Sequence, residues 1–203
     1  MRRAPWWVLL SAGGAPLLLI GASAISQVLQ GPAYNPVVDT LSILASYGAR
    51  AYWLMTGILL VLGTCYVVTA HGLREAALPG RIALAGGGLS AMGLTLVPAP
   101  ASGGALGHGV VAATGFVLLA VWPALAARRG KRAVAPWGLR FRVSVVASAL
   151  MCACALWFVF ELRSGKAPGV AERVVTVVQA LWPLAVAVSC RVWSGEGPVA
   201  TEQ

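Results

Sequence analysis

The sequence predicts an all-α protein, a polytopic transmembrane bundle of six helices with both termini in the cytoplasm, and three observations carry that prediction. Hydrophobic residues make up 59% of the 203 residues and charged residues only 10%, with a mean hydropathy of +0.81, which is too apolar for a domain with an ordinary polar surface. The apolar residues fall into runs close to the ~20 residues that cross a hydrocarbon core. Lys and Arg gather between the runs and favour one side of them, as topology requires.

The runs span 6–29, 51–70, 82–99, 105–127, 142–162 and 172–193, the third being the shortest. The first follows Arg2 and Arg3 and passes through Ala22-Ser23-Ala24. A secretory signal peptide with an A-x-A-like cleavage site is the competing reading there, but the apolar stretch is long for that and continues through Ile25 toward Gln30. The second run ends at His71-Gly72, a cation-capable residue before a helix-terminating glycine. The third contains Gly86-Gly87-Gly88, read as a close-packing surface between helices. His108 opens the fourth, Glu161 closes the fifth, and Glu172-Arg173 opens the sixth.

Orientation follows from the loop charges. One side holds Arg2, Arg3, Arg74, Arg81, Arg128, Arg129, Lys131, Arg132, Arg140, Arg142 and Arg191; the other holds Arg50, Arg163, Lys166 and Arg173. That bias of eleven to four puts 71–81, 128–142 and both termini inside, and the loop 30–50 with the turns near 100 and 165 outside. The formal charge of +9 is thus topological, and nucleic acid is not an expected partner. The whole chain, 1–203, reads as one domain in the cell membrane, and its expected partners are membrane lipids.

Cys65, Cys152, Cys154 and Cys190 all fall within runs and read as free thiols used as small apolar residues. The C-x-C spacing of Cys152 and Cys154 points the two sulfurs to different helix faces. No metal site, cofactor motif, phosphate loop or nucleophile elbow is present in the sequence. Of the eight Trp, Trp6, Trp7, Trp122, Trp137 and Trp193 fit an aromatic belt at the inner interface. Trp53, Trp157 and Trp182 fall within spans.

Ionisable residues in or beside membrane spans are costly, and each is a site candidate. Asp39, Arg50, His108, Glu161, Glu172 and Arg173 all fall at the outer end. Glu172, Thr176 and Gln179 recur at i, i+4 and i+7 and share one helix face; Ser23, Gln27 and Gln30 do the same at the outer end of the first run. Two polar stripes at one depth predict an outward-opening cavity. Its catalytic candidates are Glu172, Asp39 and His108, and its substrate-binding candidates are Arg173, Gln179, Gln27, Trp182 and Trp53. The plainer readings are a helix-start carboxylate for Glu172, a snorkelling Arg173, an N-cap for Asp39 ahead of a short outer helix, and core packing for the Trp residues.

The segment Tyr34-Asn35-Pro36 with Asp39 and Ser42-Ile43-Leu44, then Val97-Pro98 before Gly107-His108, then Glu172-Arg173 with Trp182, resembles the bacterial membrane family catalogued as domain of unknown function 998. The resemblance covers most of the chain and implies six spans but no activity. Where that family often has an acidic residue after the Ser and after the Pro, this chain has Ile43 and Ala99, so any role needing those carboxylates lacks support here.

Three functions compete. A membrane-embedded enzyme would act on a lipid-like or isoprenoid substrate, a terpene-cyclase-type reaction being one form, with an acid that protonates an alkene and a histidine base or relay. A carrier would bind a small amphiphile in the same pocket. A scaffold would use the small-residue helix faces and leave the polar cluster structural. The convergence of acid, base and cation at one depth favours the enzyme.

Overall fold

The computed structural model describes residues 4–100, 105–128 and 135–193, and among these the regular elements are helices, with one isolated backbone bridge between Arg128 and Arg140. Helix α1 is Trp6–Gln30, α2 is the short Leu41–Leu44, α3 is Tyr52–Gly72, α4 is Leu78–Gly93, α5 is Leu106–Ala126, α6 is Phe141–Ser164 and α7 is Pro168–Val192, with a 3-10 turn at Trp137–Leu139 before α6. Helices α1, α3, α5, α6 and α7 are long and apolar enough to cross a membrane. Arg2, Arg3, Arg129, Lys131 and Arg132, which the charge bias uses, lie outside the described residues.

The third run departs from expectation. Its helix is α4, only 16 residues long, and it starts at Leu78 and ends at Gly93 rather than running from 82 to 99. Pro79 accounts for the early start, since its fixed φ and missing N–H suit the first turn. Arg81 therefore lies inside α4, where its Nε donates to Ala70 O at 2.7 Å and its outer nitrogen to His71 O at 2.9 Å, satisfying carbonyls left open at the end of α3. Gly72 belongs to α3 itself and is not the residue after it.

The helices pack in a closed ring in chain order, α1 on α3, α3 on α4, α4 on α5, α5 on α6, α6 on α7, and α7 back on α1. Large apolar side chains such as Leu17, Val28, Leu96 and Leu156 point outward, as the bilayer rewards. Arginines close one end: Arg128 Nε donates to Glu75 O at 2.6 Å, and Arg191 donates to Ala4 O at 3.1 Å. Trp122 is a core residue, 1% exposed, and so leaves the expected belt. Trp6 is exposed.

Small residues set the closest approaches. A Cβ on Gly88 would lie 2.6 Å from Gly63 O and 2.9 Å from Tyr66 Cβ, so α3 and α4 meet almost backbone to backbone. Gly88→Leu is expected to lower stability by about 1–3 kcal/mol through overpacking, read as a lower melting temperature in detergent. Gly57, with nothing within 4 Å of its would-be Cβ, is the control position, and Gly57→Ala is expected to be neutral.

Candidate functional site

The loop between α1 and α2 folds over the start of α7 because Arg173 and Gly169 hold it there. Arg173 donates through one terminal nitrogen to Pro36 O at 3.0 Å, Asp39 O at 3.1 Å and Gly169 O at 2.7 Å. Its other terminal nitrogen donates to the Tyr34 hydroxyl, and the guanidinium stands 5.7 Å over the Tyr34 ring. Tyr34 in turn donates to the carbonyls of Asp39 and Thr40, both at 3.1 Å. Burial raises the Tyr34 phenol above its ordinary value, against the opposing pull of Arg173. Gly169 leaves no room for a side chain, since a Cβ there would lie 2.6 Å from Pro36 O.

This clamp sets α2 against a carboxylate 131 residues away. Glu172 is 5% exposed. The Leu41 backbone N–H donates to its Oε2, and the Ser42 hydroxyl lies 3.3 Å from its Oε1. On the far side of the same hydroxyl, His108 Nε2 is 3.2 Å from Ser42 Oγ. His108 Nδ1 is 3.0 Å from Val97 O. Glu172, Ser42 and His108 thus form a continuous chain.

A count of protons shows what that chain can do. A carbonyl only accepts, so His108 Nδ1 carries a proton, and Nε2 of the neutral ring offers a lone pair. Ser42 has one proton to give. With Glu172 ionised and His108 neutral, both neighbours of the hydroxyl are acceptors, and one contact sets lone pair against lone pair. One added proton satisfies every contact in either of two ways. On Glu172, the acid donates to Ser42 and Ser42 donates to His108. On His108, the imidazolium donates to Ser42 and Ser42 donates to the carboxylate. The two forms differ only by proton shifts along the chain, which is the geometry of a one-proton relay.

Two cavities meet at this relay. An inner chamber of about 120 Å³ lies within the helix ring and is lined by Glu172, Ser42 and His108 together with Thr176 and Gln179. A larger groove of about 670 Å³ runs between α5 and α6 and ends on the same Glu172, Ser42 and His108. Its wall is apolar, and the rings of Phe116 and Phe158 in it stand 5.5 Å apart. Thr176 Oγ1 donates back to Glu172 O at 2.8 Å. Gln179 Nε2 donates to Phe116 O at 3.0 Å, which fixes its amide, and Oε1 has no partner among the described residues.

The expected residues divide accordingly. Glu172, Thr176 and Gln179 share one face of α7, as their helical spacing anticipates, and His108 joins them from α5. Asp39 lines neither cavity. Thr40, not Asp39, precedes α2, and the Asp39 carboxylate accepts from Asn35 N at 2.7 Å, closing the loop's own turn. Arg173 turns away from the cavities to the loop. Gln27 donates to Ser23 O at 3.0 Å, and its stripe lines neither cavity. Trp53 is 80% exposed, and Trp182 packs edge-on against Trp137. The aromatic lining of the groove is therefore Phe116 and Phe158, while Tyr66 and Phe116 line the inner chamber. Glu161 has structural partners, accepting from Ser164 Oγ at 2.9 Å, Ala167 N at 3.0 Å and Trp157 Nε1 at 3.2 Å, and so ties the α6 end to the turn before α7.

No curated protein and no solved structure matches the chain. Eight of the positions that carry the resemblance nonetheless assemble here, Tyr34, Asn35, Pro36 and Arg173 in the clamp and Ser42, Val97, His108 and Glu172 in the relay, whereas Trp182 packs against Trp137. A family model described as protein of unknown function (DUF998) matches residues 12–189, and the chain belongs to that family.

Proposed function

We propose that this protein is a membrane-embedded enzyme that performs acid/base chemistry on a lipid-like or isoprenoid substrate. The observation that carries the reading is the Glu172–Ser42–His108 relay set at the end of an apolar groove. Glu172 is the proton donor and His108 the group that returns the proton through Ser42. In a cyclisation, the Glu172 acid would protonate an alkene carbon, the rings of Phe116 and Phe158 would face the carbocation, and loss of a proton to the relay would restore the acid. Asp39, bound in its own turn, takes no part.

In this reading α4 completes six spans, both termini lie in the cytoplasm, and the clamp and relay lie at the outer face of the cell membrane. The eleven-to-four charge bias and the arginine-capped end support that orientation. A carrier for an amphiphile is the second reading, favoured by the single polar cluster at one end of an otherwise apolar groove.

Untargeted mass spectrometry of membrane extracts from cells expressing the wild type, Glu172→Gln or neither tests the proposal. A compound whose mass or ring count changes with the wild type alone is the expected result. Identical extracts from all three would overturn the catalytic reading and leave the carrier.

A further inference from the structure

The charge of the cavity walls defines the ligand more closely than the relay does. Among the described residues that line either the groove or the inner chamber there is no Lys or Arg, and the ionisable ones that could pair with a headgroup are Glu172 and His108. The nearest cation in sequence, Arg173, gives its terminal nitrogens to three backbone carbonyls and the Tyr34 hydroxyl. A phosphate or an ammonium at the head of the groove would meet no Lys or Arg and a singly protonated Glu172–Ser42–His108 relay, which carries no net charge in either of its forms and so cannot neutralise it. In a low-dielectric setting that placement is strongly unfavourable. The Ser42 hydroxyl and the ends of the relay instead suit a head that both donates and accepts one hydrogen bond.

The groove sets the other end of the molecule. Along α5 it extends from Ala105, just before the helix, to Val121, about 24 Å at the helical rise, and on α6 from Leu162 back to Cys152. Val117, Leu156, Val159 and Leu162 line it and are also outwardly exposed at 59%, 71%, 46% and 53%. The groove therefore opens sideways onto the lipid-facing surface, and a tail lying in the bilayer has a path into it that never crosses water.

We infer that the ligand is an uncharged long-chain amphiphile with a hydroxyl-type head, entering from the bilayer between α5 and α6 and placing that head at Ser42, His108 and Glu172. The inference rests on the reading of this cavity as the substrate site, and it fixes the chemical class: a neutral lipid alcohol, not a phospholipid or a prenyl diphosphate.

Equilibrium binding by native mass spectrometry of the full chain in detergent tests it with four probes of equal chain length: hexadecanol, hexadecyl phosphate, hexadecylamine and hexadecane. Hexadecanol is expected to bind at least tenfold more tightly than each of the others. Ala113 is exposed and lines the groove, and Ala113→Trp, checked for folding by gel filtration, is expected to weaken hexadecanol binding at least tenfold. Equal or tighter binding of the phosphate or the amine, no preference over hexadecane, or undiminished binding by a folded Ala113→Trp would each overturn the inference. The wild-type series decides it even if that variant fails to fold. Hexadecanol binding with unchanged membrane extracts would keep this inference and sink catalysis; altered extracts with a phosphate preference would do the reverse.

Discussion

Ser42→Ala and His108→Ala are each expected to lower turnover of the compound identified in membrane extracts by roughly 10²–10⁴-fold, the usual contribution of a positioned proton-transfer group. The reason is the proton count. Among the described residues Ser42 is the one that bridges Glu172 and His108, along a path of 3.3 and 3.2 Å, so removing its hydroxyl isolates the acid from the group that returns its proton. Removing the imidazole leaves Ser42 with nowhere to pass that proton. Groups that act as one unit do not lose activity additively. The double variant is accordingly expected to be no more than a few-fold worse than the worse single one. Single-turnover and steady-state rates for the four proteins make the comparison. If the two losses multiplied, the residues would be acting independently and the relay would be wrong. Wild-type melting temperatures in both variants would show that the losses are chemical.

The sequence shows why Glu172, Thr176 and Gln179 share a face, because helical periodicity is local and all three lie on α7. The same logic applied to Ser23, Gln27 and Gln30 found a stripe but not its direction, since periodicity reports that residues share a face and not what that face meets. Asp39 was one residue out of register. A carboxylate ahead of an apolar run reads as an N-cap, but the Asn35 N–H four residues back competes for it and wins. Ser42 could not be paired with Glu172 by any spacing rule, as the contact spans 130 residues and depends on how a turn-rich loop falls across a distant helix. A signal did exist, because Tyr34, Ser42, Val97, His108 and Glu172 all lie in the short segments that carry the family resemblance. The early start of α4 was readable too, since Pro79 marks a first helical turn that hydropathy alone passes over. Trp53 and Trp122 exchanged their expected surroundings because the side a Trp faces depends on the helix ring, which has no sequence period of its own.

Arg173→Lys is expected to free the loop between α1 and α2 and to reduce turnover almost as far as Arg173→Ala does, although the charge is kept. Arg173 serves three carbonyls and a hydroxyl from two nitrogens of one planar group, and an ammonium on a flexible stem cannot span that fork. Hydrogen bonds from a charged donor contribute about 1.5–3 kcal/mol each, so losing the set is expected to undock residues 34–44 while the helix ring stays folded. Amide hydrogen exchange reads that directly, as faster exchange confined to the loop and α2. Gly169→Ala approaches the same contact from the other side, because its Cβ would press on Pro36 O, and the same local pattern is expected with Arg173 intact. The docked loop also carries a pH signature through Tyr34. Burial raises its phenol above 10.0, and the folded state uses the protonated form to donate to Asp39 O and Thr40 O. Its contribution is therefore complete below the unfolded value and lost as pH rises through the higher folded one. After correction for intrinsic exchange rates, loop protection is expected to be flat from about pH 6 to about pH 9 and to fall only above the ordinary tyrosine range near 10. Protection that fell well below that range would mean that the loop is not held through the Tyr34 phenol. Unchanged loop exchange in Arg173→Lys would separate the clamp from the relay altogether, leaving α2 to be positioned by Glu172 and by the burial of Leu41 and Leu44.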